Sequence, residues 1–196
     1  MAATTTSDGV TTLTWTPPPI GEVRIYADTA TDVGVEPNTE MDPAVLARSG
    51  RFVGSGQLRV VDRQAHGLVT YTPVTSDGTR AVTGPSLTHL AVAQVTRAAV
   101  VKTDTGVVVT FDLPPGVTEA LVAARHDAYP VGPHDPTAQT WKVTNTKMQL
   151  DGGLHLPPSA EGVAWNIVVY TAVRVGSQLV VAPTGVSLSP ESPKIG

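Results

Sequence analysis

Cysteine is absent from this chain of 196 residues. That absence removes disulfide-stapled scaffolds, thiolate metal sites and thiol nucleophiles together. It leaves the compartment open, because exported domains also do without cysteine. Charge is scarce as well. Asp, Glu, Lys and Arg make up 15% of the residues, the net charge is −4, and the 13 basic side chains are scattered. Neither nucleic acid nor an anionic membrane surface is attracted by such a pattern. No apolar run approaches the ~20 residues of a membrane helix, so membrane insertion is not expected. The opening "MAATTTSDGV" lacks the basic and apolar regions of a signal peptide. Both it and the closing "LSPESPKIG" read as flexible tails. There is no Gly-x-Ser-x-Gly elbow, P-loop, dinucleotide fingerprint or His-Glu-x-x-His motif. The chain reads as a non-catalytic monomer without a cofactor or metal.

Turn-formers are plentiful, with 18 Gly and 17 Pro, and 41% of residues are hydrophobic. Few charges, many turns and abundant Val and Thr favour short strands over helices. Alternation then locates the strands. Leu13 and Trp15 share one face in "LTWTPPP". Val23 and Ile25 point inward, while Glu22, Arg24 and Tyr26 point outward. Leu58 and Val60 are expected inward, and so are Val69 and Tyr71; "SLTHLAV" supplies a last strand. Ser76-Asp77-Gly78-Thr79 carries the Asp-Gly signature of a tight hairpin. Gly54-Ser55-Gly56 reads as a turn, since no helix with a Lys follows to make it a phosphate cradle. One short helix is predicted from Asp42 as cap, through Pro43, to Gly50.

The second half repeats the plan. "VVVTFDLPPGVTEALVAAR" lies on "TTLTWTPPPIGEVRIYAD" with Phe111 at the place of Trp15, 96 residues on, and Pro114-Pro115 at Pro18-Pro19. With one residue inserted, Ala120 and Val122 fall on Val23 and Ile25. Trp165 or Tyr170 falls in the region of Tyr71. Self-similarity of this kind implies two like domains, 8–91 and 92–190. The junction "LTHLAVAQVTRAAVV" has none of the Gly and Ser of a flexible linker.

These residues resemble tandem fibronectin type III modules: a Trp on the second strand followed by Pro-Pro, Arg24 and Tyr26 facing out on the third, and Tyr71 before a hairpin. The richness in Ala, Val, Thr and Gly resembles a bacterial, actinobacterial composition. The resemblance covers nearly the whole chain, more weakly in the second copy, where "HDAYPVGPHDPTAQTWKVTNTKMQLDGGLHL" is longer. It implies an all-β fold of two tandem immunoglobulin-like sandwiches, each of seven strands in two packed sheets.

Trp15, Tyr71, Phe111 and Trp165 are expected as core residues. Pro17 to Pro19 cannot donate ladder hydrogen bonds, so they stop a strand. Trp141 shares parity with Val143 and so reads as core, although a loop-like run precedes it. The pairs His126-Asp127 and His134-Asp135 are the one polar constellation; they supply the three or four ligands a metal needs only if the loop folds back, and they read instead as a solvated loop or hydrogen-bonded turn. Long connections on a rigid scaffold concentrate binding residues. The expected partner surface is therefore the loop carrying Tyr129, His134, Asp135 and Trp141, with an exposed edge strand as the second candidate. The function this implies is a protein-interaction or spacer module within a larger bacterial protein. The alternative is a carbohydrate-binding accessory module, which requires Trp141 or Tyr129 on an exposed flat face.

Overall fold

Alternation of apolar and polar residues becomes antiparallel strand throughout the computed structural model, which describes residues 1–28, 36–42, 45, 50–77, 80–158 and 164–189. The chain divides into two units, Met1–Ala93 and Gln94–Gly196, and each is an immunoglobulin-like sandwich. In the first, β1 (Ala2–Thr5), β2 (Thr11–Thr14) and β6 (Arg59–Asp62) form one sheet. The other runs β4 (Glu40–Met41), β8 (Ala81–Thr83), β7 (Gly67–Ser76), β3 (Glu22–Asp28), β5 (Arg51–Gly56), with β9 (Leu87–Ala91) also on β7. Leu13 and Val60 from one sheet meet Val23, Ile25, Ala27, Val69, Tyr71 and Ala91 from the other in a single core.

The second unit sets β10 (Thr96–Thr103), β11 (Gly106–Asp112) and β14 (Leu154–Leu156) against β13 (Gln139–Thr144), β12 (Glu119–Arg125), β15 (Asn166–Val175) and β16 (Gln178–Val181), with β17 (Val186–Leu188) also on β15. Its core gathers Val107, Val109, Phe111, Leu154 and Leu156 with Ala120, Val122, Ala124, Ile167 and Val169. In both units the last strand is taken in two pieces along its neighbour, β8 then β9 on β7 and β16 then β17 on β15. The breaks fall at Gly84-Pro85-Ser86 and at 182–185, which includes Pro183. Proline has no N–H for the ladder, so both interruptions are written in the sequence.

The pairing registers of the two units correspond. Leu13 faces Val60 as Val109 faces Leu154. Ala27 faces Tyr71 as Ala124 faces Ile167. Ile167 therefore takes the place of Tyr71, and neither Trp165 nor Tyr170 does. Tyr170 points to the opposite side of its sheet, among Leu121, Ala123 and Val168.

Four further expectations are corrected. The opening residues are not a tail: β1 pairs with β2 from Ala2↔Thr14 to Thr5↔Thr11, as a Thr-rich, β-prone run can. Gly54-Ser55-Gly56 is strand, not turn; a Cβ at Gly54 would sit 3.1 Å from Val60 Cγ1, so close approach of β5 to β6 selects glycine. Leu58 precedes β6 in the β5–β6 turn and is 59% exposed. The chain also holds a helix that alternation did not indicate, α1 (Asn145–Asp151), whose Thr144 cap accepts from the Lys147 N–H and whose Gly152 closes it at φ 69°.

The short helix predicted over 42–50 lies largely outside the described residues, as do Gly78 and Thr79 of the hairpin, whose flanks Asp77 and Arg80 are joined by backbone and side-chain bonds. No described helix is long and apolar enough to cross a membrane.

Candidate functional site

The segment 126–138, joining β12 to β13, is organised from inside by one carboxylate. Asp135 is buried and accepts four hydrogen bonds: from Arg125 Nη1 at 3.0 Å, the Val131 N–H at 3.0 Å, the Thr137 N–H at 2.9 Å and the Thr137 hydroxyl at 2.6 Å. The Thr137 hydroxyl, together with those amides and Arg125, outweighs burial and holds the Asp135 carboxyl well below the usual carboxylate range. Arg125, the last residue of β12, also grips the exposed Asp127 through both carboxylate oxygens, at 3.0 and 2.6 Å. One guanidinium thus pairs with the acid of each His-Asp dipeptide. A planar fork of donors suits this bridging role.

That arrangement redistributes the predicted site residues. Asp135 faces inward and is consumed by the loop itself. Tyr129 and Val131 are exposed, at 42% and 86%, and His134 is exposed beside them. Trp141 is not with them. It is half-buried against the core, edge-on to Trp165 with ring centroids 6.1 Å apart. His126 also stacks on Trp165, with ring centroids 3.6 Å apart, and the Trp165 indole donates to the Pro157 carbonyl at 3.1 Å. The two histidines of the His-Asp pairs therefore lie in different surroundings, one on an aromatic ring and one in solvent. Among the described residues no three His, Asp or Glu side chains gather as metal ligands.

Of the expected core residues, Tyr71, Phe111 and Trp165 are buried, while Trp15 is half-buried and packs on the rim of the first core. Arg125 and Thr137 were not anticipated. Thr137 had a local signal, because Asp135 bonding the amide two residues on is an Asx turn. Arg125 had none, since only the fold brings its head back over residue 135.

The second unit also buries the outward side of its larger sheet. Leu121, Ala123, Val168 and Tyr170 cluster there, with Ala138 from the end of the connection and Val181 packed against them. Burial, with Asp135 nearby, raises the Tyr170 phenol above its ordinary value. No family model matches the chain, and no curated protein matches it.

Proposed function

We propose that the chain is a pair of fibronectin type III-like modules from a larger bacterial protein, and that it binds or spaces other proteins without doing chemistry. Two sandwiches with the same interrupted last strand, and a Trp or Phe before a proline run in each, support the family reading. One observation carries the interaction reading. The 126–138 connection is fixed by Asp135 and Arg125 while Tyr129 and Val131 stay in solvent. A pre-organised loop loses less conformational freedom on binding, so apolar contacts at its tip are retained as affinity.

The test is affinity capture with cross-linking, comparing the wild type, Val131→Asp and a control, Val101→Asp, at another exposed valine. A partner held by the wild type and the control, but lost with Val131→Asp at an unchanged melting temperature, supports the assignment. Equal recovery by all three rejects the loop as the contact. Saturable binding to a soluble polysaccharide panel, lost with Tyr129→Ala, would move the assignment to a carbohydrate accessory module.

A further inference from the structure

A second surface lies in the first unit and is independent of the 126–138 loop. The connection between β2 and β3, "WTPPPIG", is anchored at both ends. Trp15 donates its backbone N–H to the Leu58 carbonyl at 3.2 Å and packs on the core. Gly21, at φ +90°, lies so close to β7 that a Cβ there would meet the Ser76 carbonyl oxygen at 2.6 Å. Between these anchors the covalent structure leaves little choice. Pro17, Pro18 and Pro19 have φ fixed near about −65°, and Thr16, Pro17 and Pro18 each precede a proline, which drives them to extended geometry. Pro17 and Pro18 are thereby held near polyproline II values, a geometry with three residues per turn.

Exposure follows that period. Trp15 and Pro18, three apart, are half-buried, whereas Thr16, Pro17 and Pro19 are exposed. After the chain bends at 19–21, Ile20 is 76% exposed. Leu58, 59% exposed, adjoins the run through its bond to Trp15.

The chemistry of the run selects the partner. Three successive residues have no N–H, so an edge strand cannot read them by ladder bonds. What they offer is ring faces and carbonyl acceptors, held in the bound geometry beforehand. Aromatic side chains that stack on the rings, and whose indole or phenol hydrogens donate to the carbonyls, complement all of this. We infer that Thr16–Ile20 is a docking ligand for a protein module with an aromatic-lined groove that reads polyproline II helices, with Leu58 at its margin.

The experiment titrates purified SH3, WW and EVH1 modules into the isotope-labelled full chain and follows the Trp15 indole and the Ile20 and Leu58 amide signals by NMR. At least one module should shift them saturably. Pro17→Ala/Pro19→Ala should weaken that binding by about tenfold or more, while Val131→Asp leaves it unchanged. Pro18, which is half-buried, is kept so that the fold is spared; if the double variant nonetheless melts early, Ile20→Ser must show the same weakening. Absence of a saturable shift with all three modules overturns the inference, and so does an affinity insensitive to these variants. Shifts that depend on the chain's own concentration overturn it too, by placing a second copy on the loop. None of these outcomes bears on Val131 and its partner.

Discussion

The Tyr71 hydroxyl donates to Asp62 Oδ2 at 3.1 Å inside the first sandwich. The same carboxylate accepts from Arg51 Nη2 at 2.6 Å and from the Gln64 N–H at 3.0 Å. Thr11, buried like Asp62, stands directly opposite it across β2 and β6. In the second unit the matching positions are Val107, which faces Leu156, and Ile167, which faces Ala124. One sandwich thus holds a buried polar group where the other is hydrocarbon. Burial opposes ionisation of Asp62, but Arg51, the Gln64 amide and the phenol outweigh it and keep the carboxyl below its ordinary range. Burial and the neighbouring carboxylate raise the phenol.

Truncating one partner should cost more than the network contributes, because the rest is left unsatisfied. Tyr71→Phe is expected to lower stability by about 1–3 kcal/mol. Asp62→Leu, which strands Arg51 and the phenol together, should cost more. Urea midpoints at neutral pH check the order; a neutral Asp62→Leu would mean that the network contributes nothing.

Acid should weaken the fold in a defined window. Asp62 and Asp135 both have carboxyls depressed in the folded state, so below the unfolded value of about 4 the unfolded chain binds more protons. Their contribution is complete above that value and is lost as pH falls through it toward the folded values. Melting temperature should decline below about pH 4, and Asp62→Asn should start lower and decline less steeply.

Trp15 Nε1 is enclosed without a hydrogen-bond partner, and Phe111 fills the matching place in the second unit. Trp15→Phe removes an orphan donor whose burial costs about 1–3 kcal/mol, in exchange for some ring contact. Its melting temperature should equal or exceed that of the wild type. Trp15→Ala should destabilise, though by less than the about 3–5 kcal/mol of a fully buried ring.

Arg125→Gln leaves Asp135 without its cation and Asp127 without its clamp. Hydrogen exchange of the Val131 and Thr137 amides should accelerate, and protease cleavage should appear within 126–138, while amides of β12 and β15 stay protected. Unchanged exchange at Val131 would show that the Asx turn alone holds the loop.

The sequence by itself determined many of the strands, though not β1 or the end of β5, and the stops between them. Period-two alternation and proline act locally, and they mark β2, β3 and β11 and both broken last strands without reference to anything distant. Cap residues were equally local in α1, where Thr144 and Gly152 stand at its ends, but the absence of an apolar stripe hid the helix between them. Tertiary structure alone decided what depends on two chain segments meeting. Glycine in β5 follows from the nearness of Val60, and the exposure of Leu58 follows from where β6 begins. The pairing of Ile167, rather than Trp165, with the place of Tyr71 depends on register across β12 and β15. Asp135 looked like a surface acid because its partner, Arg125, is ten residues back, and only the fold of the connection turns a polar loop residue into the buried group that holds it.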